Sequence, residues 1–406
     1  VGVKKPVGAP RLPYPKKTAE DEALALMMGD DDDAGGVVRF GICGAAAIAK
    51  KNALAMVRSP RVKLVAVASR SLAKAEAFCV ELKLCEVRCV EGYEALLKST
   101  DIDAVYLPLP TTVHKEWVLK FAAAKKHVLV EKPVGATSRD VAEMVAACRA
   151  NDVAFMDGTM FMHHGRFAAM RRLFDDELHW HPKRITAAFT FYGGDAFLKG
   201  GNIRTRLDGD PLGCLGDVGW YCIRLGLLAF RLEDKPESVV ARLRDQSEDG
   251  VPFDLDVDVL YSQGRLLTFH CSFKHHFRQW FEAVSVDPRY GSRIVRCDDF
   301  VIPTREERCT FSIEEIPNQQ TIQYDTICAS SHSTLPFDGI SQEVNMFTNF
   351  ADDLVGARGG ESSAATTKAT RDFFETLTLR THDVMQAAID SARNGGATTP
   401  VTWSTT

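Results

Sequence analysis

From Val37 onward the chain alternates short apolar runs with amphipathic stretches. Val37 to Cys43 and Lys63 to Ser69 are apolar almost throughout, which predicts strands buried on both faces. Val87 to Val90, Asp103 to Leu107, His127 to Val130 and Val153 to Met156 continue the series of short strands. Between them, Ala45 to Val57, Leu72 to Leu82, Tyr93 to Lys98, Val113 to Ala124 and Arg139 to Ala150 carry the spacing of helices. Strands alternating with helices predict right-handed βαβ units, and hence an α/β domain with a parallel doubly wound sheet over residues 37–158.

After Gly158 the alternation stops. A helix over Arg166 to Phe174 precedes strand-like runs at Arg184 to Tyr192, Ser238 to Arg244, Asp254 to Tyr261, Arg265 to Phe273, Gln279 to Val286 and Ser292 to Cys297. Turns such as Glu248-Asp249-Gly250 and Gln263-Gly264 separate them. The expectation is an α+β substrate and oligomerisation domain over 159–370 with a largely antiparallel open sheet. Gly216 to Phe230 is apolar nearly all round and predicts a buried helix. Gln342 to Val355 and Arg371 to Asn394 are helical; the second ends at Gly395-Gly396 and is expected to pack back on the first domain. Residues 1–36 differ: Pro and Lys near the start, a helical pattern around Glu20 to Met28, then acidic Asp30 to Asp33 and Gly35-Gly36. They read as an arm or linker.

Composition narrows the class. At 406 residues the chain exceeds one ordinary domain, and 45% hydrophobic with 25% charged residues is the balance of a globular enzyme. A net charge of −5 argues against a nucleic-acid surface. No apolar run approaches the roughly 18 residues of a membrane span. Eleven cysteines without a C-x-x-C predict reduced thiols, hence a soluble protein of the cytoplasm or an organelle matrix. The first residue is Val, which leaves room for a removed transit peptide. His163-His164 and His275-His276 are adjacent pairs whose side chains diverge, and no H-E-x-x-H occurs, so no metal site is expected.

The first strand ends in Gly41-Ile42-Cys43-Gly44-Ala45-Ala46-Ala47-Ile48-Ala49. Aligned with G-x-G-x-x-G/A, the fingerprint positions are Gly44, Ala46 and Ala49, with Ala47 and Ile48 opening the helix toward a pyrophosphate. Ala46 stands where Gly is usual, and its methyl demands more room. The second strand ends in Ser69-Arg70-Ser71, where an NAD site would place an acid. The guanidinium suits a 2′-phosphate, so NADP is expected over NAD; the other reading of Arg70 is a solvated loop residue. Pro108, Leu109, Pro110 and His114 follow the fourth strand, and Glu131-Lys132-Pro133 follows the fifth. Carboxyl ends of parallel strands are where open α/β sheets hold ligands, so these complete the cofactor side, with His114 a pocket wall or structural.

With Gly216-Asp217-Val218-Gly219-Trp220-Tyr221 downstream, this ordered set resembles the Gfo/Idh/MocA oxidoreductase family over about Val37 to Gly396. The resemblance implies a Rossmann domain, a nicotinamide cofactor and hydride transfer at a CH–OH carbon of a small molecule, a sugar or cyclic diol. It makes Lys132 catalytic. The family's frequent G-D-x-G-x-H-x-x-D pattern has Tyr221 here for the His and Arg224 for the last Asp. The Tyr variant is similar to the branch of dimeric dihydrodiol dehydrogenase and NADP-dependent D-xylose dehydrogenase, which implies a homodimer. On that reading Tyr221 is the general acid/base, and Lys132 lowers its pKa toward the phenolate. Asp217 orients substrate or Lys132, or is only a helix N-cap. Arg166, Asn202 and Arg204 are candidates to bind substrate. The alternative leaves Tyr221 as a core tyrosine and Lys132 as a surface lysine, in a nucleotide-binding relative serving as a sensor or a subunit of a larger assembly. A third reading is a reductase of a conjugated or tetrapyrrole substrate.

Overall fold

The computed structural model describes residues 36–287, 291–304, 308–316, 329–336, 340–356 and 361–404. The expected arm, with its helical pattern at Glu20 to Met28, lies outside these residues.

Six strands, β1 (Val38–Cys43), β2 (Val62–Ser69), β3 (Arg88–Glu91), β4 (Ala104–Leu107), β5 (His127–Val130) and β6 (Phe155–Asp157), form a parallel sheet in the order β3-β2-β1-β4-β5-β6. Strand order reverses between β1 and β4, which opens a crevice at their carboxyl ends. Both faces of the sheet are covered, which is why its strands are apolar throughout. Phe40, Ile42 and Tyr106 pack beneath the helices Ala47–Arg58 and Gln342–Gly356, with Phe347 edge-on to the Phe40 and Tyr106 rings. On the other face Val105, Leu107, Val128 and Val130 meet the helices Thr111–Ala123 and Ser138–Ala150.

The second sheet holds β7 (Pro182–Tyr192), β8 (Ser238–Gln246), β9 (Pro252–Leu260), β10 (Leu266–Ser272), β11 (Lys274–Asp287), β12 (Gly291–Cys297), β13 (Arg308–Ile316), β14 (Ala329–Pro336) and β15 (Thr399–Pro400). Their order is β14-β13-β12-β11-β7-β10-β9-β8-β15. Every pairing is antiparallel except β7 with β10. Along β9, Phe253, Leu255, Val257 and Val259 are buried, while Asp254, Asp256 and Asp258 face the other side. That inner face shares a core with the wholly buried helix Trp220–Ala229.

Three strands exceed the expectation. Ala329–Pro336 is Ser- and Thr-rich, without an apolar alternation to mark it, β13 carries Glu314-Glu315, and β15 is two residues long. The last helix begins at Glu361 rather than Arg371, because its first turns, Glu361 to Thr367, lack bulky apolar residues. It touches both sheets' surroundings. Arg149 Nε donates to Glu375 at 2.6 Å, and the Ala241 amide of β8 donates to Ser391 Oγ at 2.9 Å. The ten cysteines in the described residues are free thiols. Among those residues no helix is long and apolar enough to cross a membrane.

One buried ion pair joins these parts. Arg224 donates to both carboxylate oxygens of Asp157, at 3.0 and 2.8 Å. Both side chains are almost wholly excluded from solvent. Hydroxyls of Thr159 and Thr378 also donate to Asp157, and Trp220 Nε1 donates to Thr159 at 2.8 Å. Burial pushes the Asp157 carboxyl up, but the Arg224 charge and these hydrogen bonds hold it below its usual range. Arg224→Ala would leave that carboxylate buried and uncompensated. A loss of about 3–5 kcal/mol is expected, read as a lowered denaturation midpoint; an unchanged midpoint would count against the pair's anchoring role.

Candidate active site

The β1 turn is built for close approach. Gly44 has φ 123°, a conformation that L side chains rarely adopt, and a Cβ there would lie 2.9 Å from Leu109 Cδ2. Ala46, the departure from glycine, has φ −83° and ψ 165°, extended backbone open to any residue. Ala47 and Ile48 open the helix at an exposed first turn, and Ala49 is buried against the sheet. First-turn amides have no intrahelical acceptor and suit an anion. Ser69 is buried at the end of β2, and Arg70 beside it is exposed. These residues fit a dinucleotide.

Across the crevice lies a tight charge cluster. Lys132 Nζ donates to Asp217 Oδ1 at 2.6 Å and to the Asp217 carbonyl at 2.8 Å. Arg204 Nε meets the same Oδ1 at 3.0 Å. Asp217 sits in a π-helical turn, Leu215–Gly219, that leads into the helix of Tyr221. Such turns recur at functional sites. Gly216 lets the loop after β5 come close: a Cβ there would fall 2.9 Å from Pro133 Cγ. Lys132 Nζ lies 5.3 Å from the centre of the Tyr221 ring, which Phe161 and Phe189 flank at 5.7 and 5.5 Å.

Electrostatics follow from burial and pairing. Burial pushes Asp217 up, but Arg204 and Lys132 outweigh it and bring it down to about 2. Burial pulls Lys132 down, yet Asp217 and then Tyr221 leave it raised. Tyr221 goes to about 12: burial dominates, Lys132 opposes it, and Asp217 and Glu131 add to it. Lys132 does act on Tyr221 in the expected direction, toward the phenolate, but burial outweighs it.

Residues 38–159 match the family model GFO_IDH_MocA, an oxidoreductase family with an NAD-binding Rossmann fold. The chain is 32% identical over 330 residues to a dTDP-3,4-didehydro-2,6-dideoxy-alpha-D-glucose 3-reductase of Saccharopolyspora spinosa, covering 80% of this chain and 93% of that one. The chain belongs to the Gfo/Idh/MocA oxidoreductase family. It is 30% identical over 251 residues to D-xylose 1-dehydrogenase (NADP(+)) 2 of Haloferax volcanii, covering 62% and 74% of the two chains. Among solved structures, a 3-ketoreductase from Actinomadura kijaniata in complex with NADP and TDP-benzene matches with a TM-score of 0.71 at 25% identity, over 89% of this chain and 98% of that one.

Within this Gfo/Idh/MocA fold, several expected site residues take other roles. His114 is buried, with Nε2 2.8 Å from the Leu109 carbonyl and Nδ1 3.0 Å from that of Val134. It ties the loops after β4 and β5 together, the structural one of its two expected roles. Arg166 is buried too. Its guanidinium is spent on Asp299, at 2.5 Å to the carboxylate and 2.6 Å to the carbonyl, so it does not reach the crevice. Asn202 accepts from the Arg204 amide at 3.1 Å and from its Nη1 at 3.4 Å, which positions Arg204. Arg224, in the family's Asp position, anchors the helix through Asp157. Asp217 is no cap; its carboxylate binds Lys132 and Arg204. Pro108 and Leu109 are buried in the β4 loop, with Pro110 at the head of the following helix.

Three residues escaped the sequence reading. Tyr106 Oη donates to Glu131 Oε1 at 2.5 Å, Asn52 Nδ2 reaches the same atom at 3.3 Å, and the Lys132 amide donates to Glu131 Oε2 at 3.3 Å. Tyr106 falls within the strand run Asp103 to Leu107 and Asn52 within the helical run Ala45 to Val57, and no motif marks either. The third, Asp210, is buried beside Gly216, its Oδ1 accepting from the Leu212 amide at 3.2 Å. It lies in Leu207-Asp208-Gly209-Asp210-Pro211, which carries only a turn signal. Burial, then Asp217, raises it to about 7. A carboxyl raised in the fold stabilises it at low pH and loses that contribution as pH climbs from about 4 to about 7. Asp210→Asn should therefore match the parent's denaturation midpoint near pH 4 and exceed it at pH 8. A parent–variant difference constant across that range would refute this.

Proposed function

We propose that this protein catalyses NADP-dependent reduction of a carbonyl on a sugar, and the reverse oxidation, with Tyr221 as the proton donor. The observation that carries this reading is a buried Tyr221 beside a Lys132 that Asp217 holds in place. A neutral phenol suits an acid that protonates a developing alkoxide. Two relatives point the same way, one a keto-sugar 3-reductase and the other an NADP-linked xylose dehydrogenase.

Hydride supply or acceptance is the chemistry that a nicotinamide cofactor would bring when bound in the crevice. The Ala47 and Ile48 amides would hold its pyrophosphate, and Ser69 and Arg70 its 2′-phosphate. Pro108, Leu109, Pro110, Glu131 and Lys132 would line the reacting end. Tyr221 Oη gives its proton to the carbonyl oxygen, leaving the alcohol and a phenolate. The Lys132 ammonium steadies that phenolate until it regains a proton from water. Arg204 uses its remaining donors to orient sugar hydroxyls. The substrate class is a keto sugar, free or nucleotide-linked, or a cyclic diol in the oxidative direction. A homodimer through the open face of the second sheet completes the proposal, supported by half-buried Val240, Trp280, Val284 and Ile294 on that face.

NADPH should be consumed with a panel of nucleotide-linked and free keto sugars, or NADP reduced with aldoses and dihydrodiols. Tyr221→Phe should lower kcat by about 10²- to 10⁴-fold while NADP binding persists. Full activity in that variant would remove Tyr221 from the mechanism, and binding without turnover across the panel would favour the sensor or subunit reading. Arg70→Ala should raise KM for NADP roughly ten- to hundredfold with little change for NAD, measured by initial rates. Equal effects on both cofactors would exclude a 2′-phosphate contact.

A further inference from the structure

The open face of the second sheet carries a second cluster of chemistry-bearing side chains, remote in kind from the hydride site. Three aspartates of β9 alternate onto this face: Asp254, Asp256 and Asp258. Two have arginines of β8 as partners, Arg244 with Asp256 at 2.8 Å and Arg242 with Asp258 at 3.2 Å. Asp254 breaks the pattern. Its register neighbour on β8 is Asp245, itself an acid, bound by Lys274. Among the described residues its ion-pair partners are two histidines instead: His270 Nε2 lies 2.7 Å from Oδ1, and His275 Nε2 lies 3.3 Å from Oδ2. The imidazoles cross at 83° with centroids 4.8 Å apart.

His275 gets there through a backbone irregularity. Lys274 pairs with Tyr192 and Arg278 with Thr190, so residues 275–277 of β11 oppose the single Phe191 of β7. A bulge of this kind re-aims side chains and recurs beside functional sites. Here it separates His275 from the regular ladder and brings it to His270 and Asp254. The three ligand atoms all lie within 4.8 Å of one another. Tetrahedral zinc, with bonds of about 2.0–2.1 Å, needs ligand atoms about 3.3 Å apart, a modest adjustment for side chains on this surface.

We propose that Asp254, His270 and His275 form a binding site for a divalent transition-metal ion of the zinc type, with water completing the coordination. Two imidazoles and a carboxylate are a known ligand set for such ions, and borderline nitrogen donors select them over calcium or magnesium. Bound there, the ion would cross-link β9, β10 and the β11 bulge. The inference is independent of the hydride-transfer reading.

The test uses the full chain, stripped with chelator and desalted, and titrated with Co²⁺ and then Zn²⁺. One Co²⁺ per chain is expected, with visible d–d absorption that Zn²⁺ abolishes. His270→Ala and His275→Ala should each weaken binding by more than about tenfold. Both side chains are at least 30% exposed, so the variants are expected to fold; circular dichroism checks this. In the parent, Zn²⁺ should also protect both histidines from diethyl pyrocarbonate, read by peptide mass mapping. Absence of binding below millimolar concentration, unprotected histidines, a thiolate charge-transfer band, half an equivalent per chain, or unchanged affinity in the double variant would each overturn the site.

Discussion

The Asp157–Arg224 ion pair is the constraint on which the remainder of the molecule hangs. Asp157 ends the last strand of the parallel sheet, Arg224 lies one turn beyond Tyr221, and Thr378 joins them from the final helix. Removing two charges from water is costly, and only bidentate geometry with extra donors offsets that cost. The pair therefore tolerates little displacement. It fixes the rotation of the helix Trp220–Ala229, and with it the direction in which Tyr221 points. Arg224 also lies 4.6 Å over the Trp220 ring, so the residues on either side of Tyr221 are both fastened.

With that helix fixed, the crevice becomes a problem of charge placement. Lys132 and Arg204 share one carboxylate, Asp217, so two cations from separate elements converge on a single buried acid. The supports come from separate elements: Glu131 with Tyr106 and Asn52 below, His114 between two loops, and Thr112, whose hydroxyl donates to the Asp208 carbonyl at 2.7 Å near Arg204. Tyr106 and Asn52 are distant in the chain from Glu131, and Thr112 is distant from Asp208.

That distance decides what was legible in the sequence. The parallel sheet could be read because its strands are locally apolar and its helices locally periodic; Lys63 to Ser69 differs from observed β2 by one residue. Lys132, Asp217 and Tyr221 could be read because motifs hold them. The pKa of Tyr221 could not, because burial outweighs a neighbouring ammonium only once both positions are known. Arg166 looked available for binding, yet Asp299 claims its guanidinium, and the two backbone carbonyls that hold His114 lie in loops no spacing motif connects. Asp210 shows no signal beyond a turn. Asp254 and His270 come together across the β9–β10 pairing, where strand register rather than any spacing motif makes neighbours.

The packing of the last helices has a consequence for how the chain is made. Phe347 and Phe350 from the helix Gln342–Gly356 fill the face of the parallel sheet behind Phe40, and Glu361–Arg393 closes the region around β6. Those residues leave the ribosome well after the parallel sheet they cover. Until they emerge, the nucleotide-binding domain keeps an apolar face uncovered, and a nascent chain stalled before residue 342 would carry its fingerprint loop on an unfinished scaffold.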